Sequence, residues 1–272
     1  MIKNSKSLMD KARNIANKNN ITVNEVLQNY MFERILERLS ISKYKYNFIL
    51  KGGLLLSAVM GIDSRTTMDM DTCLKEIDIT DEKLYKILEE IIAIDVNDNV
   101  TFIIKNSNPI KEEDDYGGLK YNIVAIFDGI RVNLSIDIAT GDIITPKEIE
   151  YDYKMLFEDR TLKVMTYPIE TIIAEKFQTI IEKGVLNSRM KDYYDLYYLL
   201  NNNYYKHDIL REAIHRTFTQ RNTDISIAMQ KMKEIEDSEF LMELWNNYAN
   251  KHCYSKGIEY KEVIHIIEES LL

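Results

Sequence analysis

The stretch KGGLLLSAVMGIDSRTTMDMD, residues 51–71, leaves the chain few ways to fold. Two of only nine glycines stand side by side, between the apolar run NFIL and the helix-spaced run LLLSAVM. Without Cβ atoms such a pair lets a strand turn sharply into a helix, and it brings the first N–H groups of that helix, at its positive end, close to an anionic ligand. MDMDTCL then alternates as a strand does, so Asp69 and Asp71 share one face while Met68 and Met70 take the other. Carboxylates that close repel, and they persist only if solvated, protonated or bridged by cations. Mg²⁺, with its preference for hard oxygen ligands, is the natural bridge.

A second alternating segment lies downstream. KYNIVAIFDGIRVNLSIDI is two strands joined by the turn pair Asp128-Gly129, with Val132, Leu134 and Ile136 on one face and Asn133, Ser135 and Asp137 on the other. Asp137 is therefore a candidate third ligand. Three carboxylates on adjacent strands can hold metals that activate an attacking oxygen and neutralise a leaving pyrophosphate. Upstream, Thr22 and Glu25 are spaced as a capping box, and Val26, Tyr30, Ile35 and Leu39 fit one face of a helix packed on the sheet. After Pro168 the pattern changes: IETIIAEKFQTIIEKG, NSRMKDYYDLYYLLNN and most of the remaining chain to Leu272 have helical periodicity. The reading is α+β, with a mixed sheet and its helices over residues 1–150 and a mainly helical half over 151–272.

Composition narrows the classes. At 272 residues and 45% apolar the chain can bury one large core or two smaller ones. A net charge of -9 argues against unspecific coating of nucleic acid, although residues 183–233 hold nine Lys/Arg against five Asp/Glu. Two cysteines make no disulfide framework, the N-terminus lacks the apolar core of a signal peptide, and no run reaches the roughly 18 apolar residues of a membrane span. The expectation is a cytoplasmic protein without a membrane partner. His207, His215, His252 and His265 lack metal-ligand spacing, and the 18 tyrosines fit core stripes better than base-stacking surfaces.

Four blocks, ERILERLSISKYKYNFILKGGLLLSAVMGIDSRTTMDMD, SIDIATGDIITP, YPIETIIAEKFQTII and NSRMKDYYDLYYLL, occur in the order found in the AbiEii/AbiGii family of bacterial toxins, related to the MenT toxins. The chain resembles that family over about residues 8 to 200. The resemblance implies the DNA polymerase β-like nucleotidyltransferase fold and transfer of a nucleotide from an NTP, with Mg²⁺, to an RNA acceptor. The implied acceptor is the tRNA 3′ end, and the implied outcome is blocked translation and abortive infection, a phage defence held in check by a cognate antitoxin that need not touch the toxin. Carried over residue by residue, Gly52 and Gly53 cradle the nucleotide, Asp69, Asp71 and Asp137 hold metal, and Lys176 and Asp192 form a second catalytic set with Asp195 as a nucleotide-binding companion, so the helical half completes the active site. Lys51 and Arg65 are suited to triphosphate contacts.

Each assignment has a plainer alternative. Gly-Gly can mark a tight turn, Asp137 can merely end a strand, Arg65 can pair with Asp63, and Asp142 in TGD reads as a turn residue. Lys176 lies in the stripe of Ile172, Ile173, Phe177 and Ile180, where a lysine either snorkels to solvent or meets Asp192 or phosphate; Asp192 and Asp195 can be an ordinary solvated face. At the level of function the alternatives are a nucleotidyltransferase acting on a protein or small molecule, and a non-catalytic nucleotide-binding module.

Overall fold

Local sequence signals set the first elements of the chain. Asn4 caps α1 (Ser5–Asn19), and Thr22 and Glu25 form the reciprocal capping box that opens α2 (Val23–Ile41). The apolar run ends as β1 (Phe48–Lys51), which passes directly into α3 (Gly52–Met60). Next along the chain come β2 (Asp69–Leu74), α4 (Asp81–Ile92), β3 (Val100–Pro109), β4 (Gly118–Phe127), β5 (Ile130–Ala139), β6 (Ile149–Lys154) and β7 (Thr161–Thr166). The computed structural model describes residues 2–77, 80–110 and 117–272. It divides into one unit running to Asp142 with Glu148–Thr166, and a second of Ile143–Lys147 with Tyr167–Leu272.

The first unit is built on a seven-stranded mixed sheet in the order β3-β4-β5-β2-β1-β7-β6. β2 runs parallel to β5 and β1 parallel to β7, while the remaining neighbours are antiparallel. The sheet thus continues past residue 150, through β6 and β7. Asp128 at φ 44 and Gly129 at φ 84 both occupy the left-handed region, as a two-residue hairpin turn matched to strand twist requires. That turn sets Phe127 opposite Ile130 and hence the register of the whole β4–β5 ladder.

α2 departs from the single apolar stripe expected of it. Val26, Tyr30, Ile35 and Leu39 are buried as expected, but so are Glu33, Arg34, Glu37 and Arg38. The charges of Arg34, Glu37 and Arg38 are tolerated because each meets a close counter-charge. Arg38 forks onto Asp98 at 2.7 and 2.8 Å. Arg34 lies 2.9 Å from Glu37 and 3.4 Å from Glu158, and Arg160 lies 2.7 Å from both of those carboxylates.

Glu33 is the acid this network leaves over. Burial pushes its carboxyl up to about 8, against the opposing pull of the Leu156 N–H and Arg34, with Glu158 adding repulsion and Arg160 attraction. Between the ordinary carboxylate range and about pH 8 the folded protein therefore holds a proton that the unfolded chain has released. Raising pH across that window should cost stability, with a slope of up to about 1.4 kcal/mol per pH unit. Denaturation midpoints measured from pH 5 to 8 should fall in the wild type and stay flatter in Glu33→Gln; parallel profiles would place the proton elsewhere.

The second unit is helical: α5 (Ile169–Lys183), α6 (Met190–Asn201), α7 (His207–Gln220), α8 (Ala228–Glu236), α9 (Glu239–Lys251) and α10 (Tyr260–Leu271). Ile172, Ile173, Phe177, Leu196, Leu199, Trp245, Val263 and Ile264 fill its core. The tyrosine-rich run of α6 contributes to that core: Tyr193 and Tyr194 are buried, and Tyr194 packs 4.8 Å from the Tyr254 ring. Among the described residues no helix is long and apolar enough to cross a membrane.

Candidate active site

Strand register assembles the site. Lys51 of β1 stands opposite Asp71 of β2, Asp71 opposite Asp137 of β5, and Asp137 opposite Lys120 of β4. Residues opposite one another in a sheet share a face, so one row crosses four strands as Lys, Asp, Asp, Lys. Asp69 shares this face two residues along β2, opposite Ser135. All three aspartates are half-buried. β2 begins at Asp69, so Met70 is buried at 2% exposure whereas Met68, just before the strand, is 51% exposed.

The glycines stand against this row. Gly52 has φ +64, and a Cβ there would overlap the Asp71 carboxylate. Gly53 N–H donates toward Asp71 Oδ2 at 3.4 Å, which places that carboxylate at the N-terminus of α3. A Cβ on Gly53 would come within 2.6 Å of Thr67 Oγ1 and 3.4 Å of an Arg65 guanidinium nitrogen. Arg65 is 5% exposed, donates to Thr66 O, and is thereby held beside the glycine turn. Lys51 Nζ pairs with Asp142. Asp142 is therefore more than a turn residue, a role its Thr-Gly-Asp context gives no sign of.

Lys120 is a site residue that motif reading misses, although a signal for it exists. Once the Asp128-Gly129 turn pairs Phe127 with Ile130, the seventh residue before Phe127 must face the seventh after Ile130, and these are Lys120 and Asp137. Lys120 Nζ lies 3.1 Å from Asp137 Oδ2, while the Ser135 hydroxyl donates to Asp137 Oδ1 at 3.4 Å. Burial raises the Asp137 carboxyl, Lys120 pulls it back, and repulsion from Asp71 and Asp69 raises it further; the outcome is upward. For Lys120 burial works downward, but the hydrogen bond to Asp137 and the charges of Asp137, Asp69 and Asp71 outweigh it and raise the ammonium.

Three carboxylates and a serine hydroxyl make a donor set of hard oxygens suited to a divalent cation, beside a helix N-terminus suited to phosphate. Among the described residues no three His, Cys, Asp or Glu side chains are drawn together as a finished ligand cluster. The Asp71 and Asp137 carboxylates instead meet Gly53 N–H, Lys120 and Ser135, an arrangement expected of like charges balanced by the protein's own donors. Asp69, Asp71 and Asp137 are the residues that would hold the cation.

The second unit carries its own ionic cluster. Lys176 of α5 reaches Asp192 Oδ1 at 2.5 Å and Asp195 Oδ2 at 2.9 Å, and Arg189 Nε lies 3.0 Å from the other Asp192 oxygen. The side chains of Asp192 and Asp195 are 3% and 0% exposed and that of Lys176 13%. Neither plainer alternative holds here: the ammonium is ion-paired within the apolar stripe rather than snorkelling, and the two aspartates are buried rather than on a solvated face. The spacing of three residues on α6 brings both carboxylates to one lysine.

Comparison with known proteins adds to this geometry. The profile of a family described as nucleotidyl transferase AbiEii toxin, type IV toxin–antitoxin system, matches residues 34–257. No curated protein matches the chain. A crystal structure from Helicobacter pylori, described as that of a candidate nucleotidyltransferase, is similar over 92% of this chain and 97% of its own, at 17% identity and TM-score 0.50. The crystal structure of JHP933 from the same organism aligns over 81% of this chain and 91% of its own, at 15% identity and TM-score 0.42.

Proposed function

The chain belongs to the AbiEii family of nucleotidyltransferase toxins of type IV toxin–antitoxin systems, and on that footing we propose that it transfers a nucleotidyl group from an NTP to an RNA acceptor, the tRNA 3′ end, and so blocks translation and growth. The observation that carries this reading is the row Lys51, Asp71, Asp137, Lys120 laid against the Gly52-Gly53 turn. In the transfer an acceptor hydroxyl oxygen forms a bond to the α-phosphorus and gives up its proton to solvent, while the bond between the α-phosphorus and the bridging oxygen breaks and pyrophosphate leaves. Asp69, Asp71 and Asp137 would hold Mg²⁺, in a family that generally uses a divalent metal, and the cation would supply Lewis-acid activation and charge neutralisation. The Gly53 amide, Lys51 and Arg65 would hold the triphosphate. Lys176, Asp192 and Asp195, with the helical unit that carries them, would serve the same reaction. A type IV toxin implies a cognate antitoxin as well as the NTP.

Incubation with each α-labelled NTP, Mg²⁺ and total RNA tests the proposal. Label on RNA, and specifically on tRNA 3′ ends, is the expected outcome. Label on protein or on a small molecule would move the acceptor to another class, and absence of label with every NTP would leave a binding module.

Triphosphate contact gives a further expected result. Lys51→Met should weaken NTP binding about tenfold or more, since charge-assisted contacts of this kind contribute about 1.5–3 kcal/mol. Arg65→Ala should weaken binding and also lower stability, because a buried guanidinium hydrogen-bonded to Thr66 O is lost. Unchanged NTP affinity in both variants, read by calorimetry, would remove these residues from the site.

A further inference from the structure

Lys120 has no counterpart in the motifs that carry the family resemblance, yet strand register puts it on the reactive row. Its ammonium is held at 3.1 Å, longer than the roughly 2.7–2.9 Å of a tight charged hydrogen bond, and its side chain is 38% exposed. The pair is therefore open to solvent, on a flexible four-carbon stem. A divalent cation bound to Asp137 would repel that ammonium and take the carboxylate oxygen it holds. Adjacent strands lie about 4.8 Å apart, so Lys120 and Lys51 flank the Asp71–Asp137 pair at one strand spacing on either side. A displaced Lys120 thus remains beside the carboxylates, where a compact, strongly hydrated ammonium suits a triphosphate oxygen.

We propose that Lys120 is a positioning residue with two successive partners: it holds Asp137 in the metal-free protein, and it passes to a phosphate oxygen of the NTP once Asp137 takes a divalent cation. This rests on the reading of the carboxylates as a metal site for nucleotidyl transfer. The two partners have consequences of opposite sign. Before nucleotide arrives, Lys120 competes with the cation, so removing it helps the metal; after nucleotide arrives, Lys120 supports the triphosphate, so removing it harms the nucleotide. A lysine that merely pairs across two strands would do neither.

The test uses the full chain. Mn²⁺ binding to nucleotide-free protein is followed by electron paramagnetic resonance, and binding of ATP, CTP, GTP and UTP in the presence of Ca²⁺ by calorimetry. Lys120→Met, which keeps the apolar stem, and Lys120→Gln, a second neutral variant that keeps a donor for Asp137, should bind Mn²⁺ about fivefold more tightly. Both should bind the preferred NTP about tenfold more weakly. Lys120→Arg, which keeps the charge, should stay near wild type in both measurements. Mn²⁺ affinity unchanged or weakened in the folded neutral variants, or unchanged NTP affinity, overturns the proposal. Asp71→Ala separates this from failure of the underlying reading: it should lose Mn²⁺, and Mn²⁺ bound as tightly as by wild type would overturn the metal site and the proposal with it.

Discussion

Alanine at Asp71 should abolish nucleotide transfer, by about 10³-fold or more, and with it growth inhibition, while leaving the fold intact. The effect is large because Asp71 is central to the row, flanked by Lys51 and Asp137, and lies against the glycine turn. Its loss would remove a ligand of the cation and leave charge on the departing pyrophosphate unscreened. The fold should survive because the carboxylate repels Asp137 and Asp69, so its removal relieves strain on that face. A melting temperature equal to or above that of wild type is expected. Asp69→Ala should behave in the same way. Growth arrest that persists at matched expression of the folded double variant would separate toxicity from catalysis.

Lys176→Met should be damaging in two ways. The substitution keeps an apolar stem in the stripe of Ile172, Ile173 and Ile180 but deletes the cation shared by Asp192 and Asp195, whose side chains are 3% and 0% exposed. From the sequence, where the lysine can be read as snorkelling, such a change looks neutral for stability. The ion pairs reverse that expectation, since breaking a buried pair by removing one partner costs about 3–5 kcal/mol. Stability should recover in large part when Asp192→Asn and Asp195→Asn are added, because the uncompensated charges are then gone. Activity should not recover if the cluster serves the reaction: a loss of about 10²-fold or more should persist in the stabilised triple variant. Melting temperature and nucleotide transfer measured together decide the matter, and a triple variant as active as wild type would reduce the cluster to a structural one.

How much of the site the sequence discloses depends on the range of the interaction. The Gly52-Gly53 turn, the Asp69/Asp71 alternation and the Asp128-Gly129 hairpin are local, set by backbone sterics and a side-chain period of two, and each is readable within about ten residues. Lys120 was legible by the same logic, by counting the hairpin register back from its turn. The partner of Lys51 was not: Asp142 lies ninety-one residues away, in a segment whose own composition signals only a turn. Likewise the charges of α2 look like a solvent face in sequence, because nothing local reports that Asp98, Glu158 and Arg160 will arrive to cover them.

The chain's local chemistry thus settles the elements and their faces: a strand turning into a helix at two glycines, two aspartates on one side of β2, a third on β5, and a helical remainder after Pro168. These come from dihedral preference and periodicity, which act between neighbours along the chain. Packing alone chose to lay β2 parallel beside β5, so that Asp71 meets Asp137, and to bury Lys176 with two counter-charges rather than extend it into water. The reason is physical. A strand presents the same backbone donors and acceptors to any partner, and a charge is stable wherever water or an opposite charge surrounds it. Which partner is found is a property of the packed whole, and in this protein that choice brings Asp137 and Lys120 onto the row with Asp71.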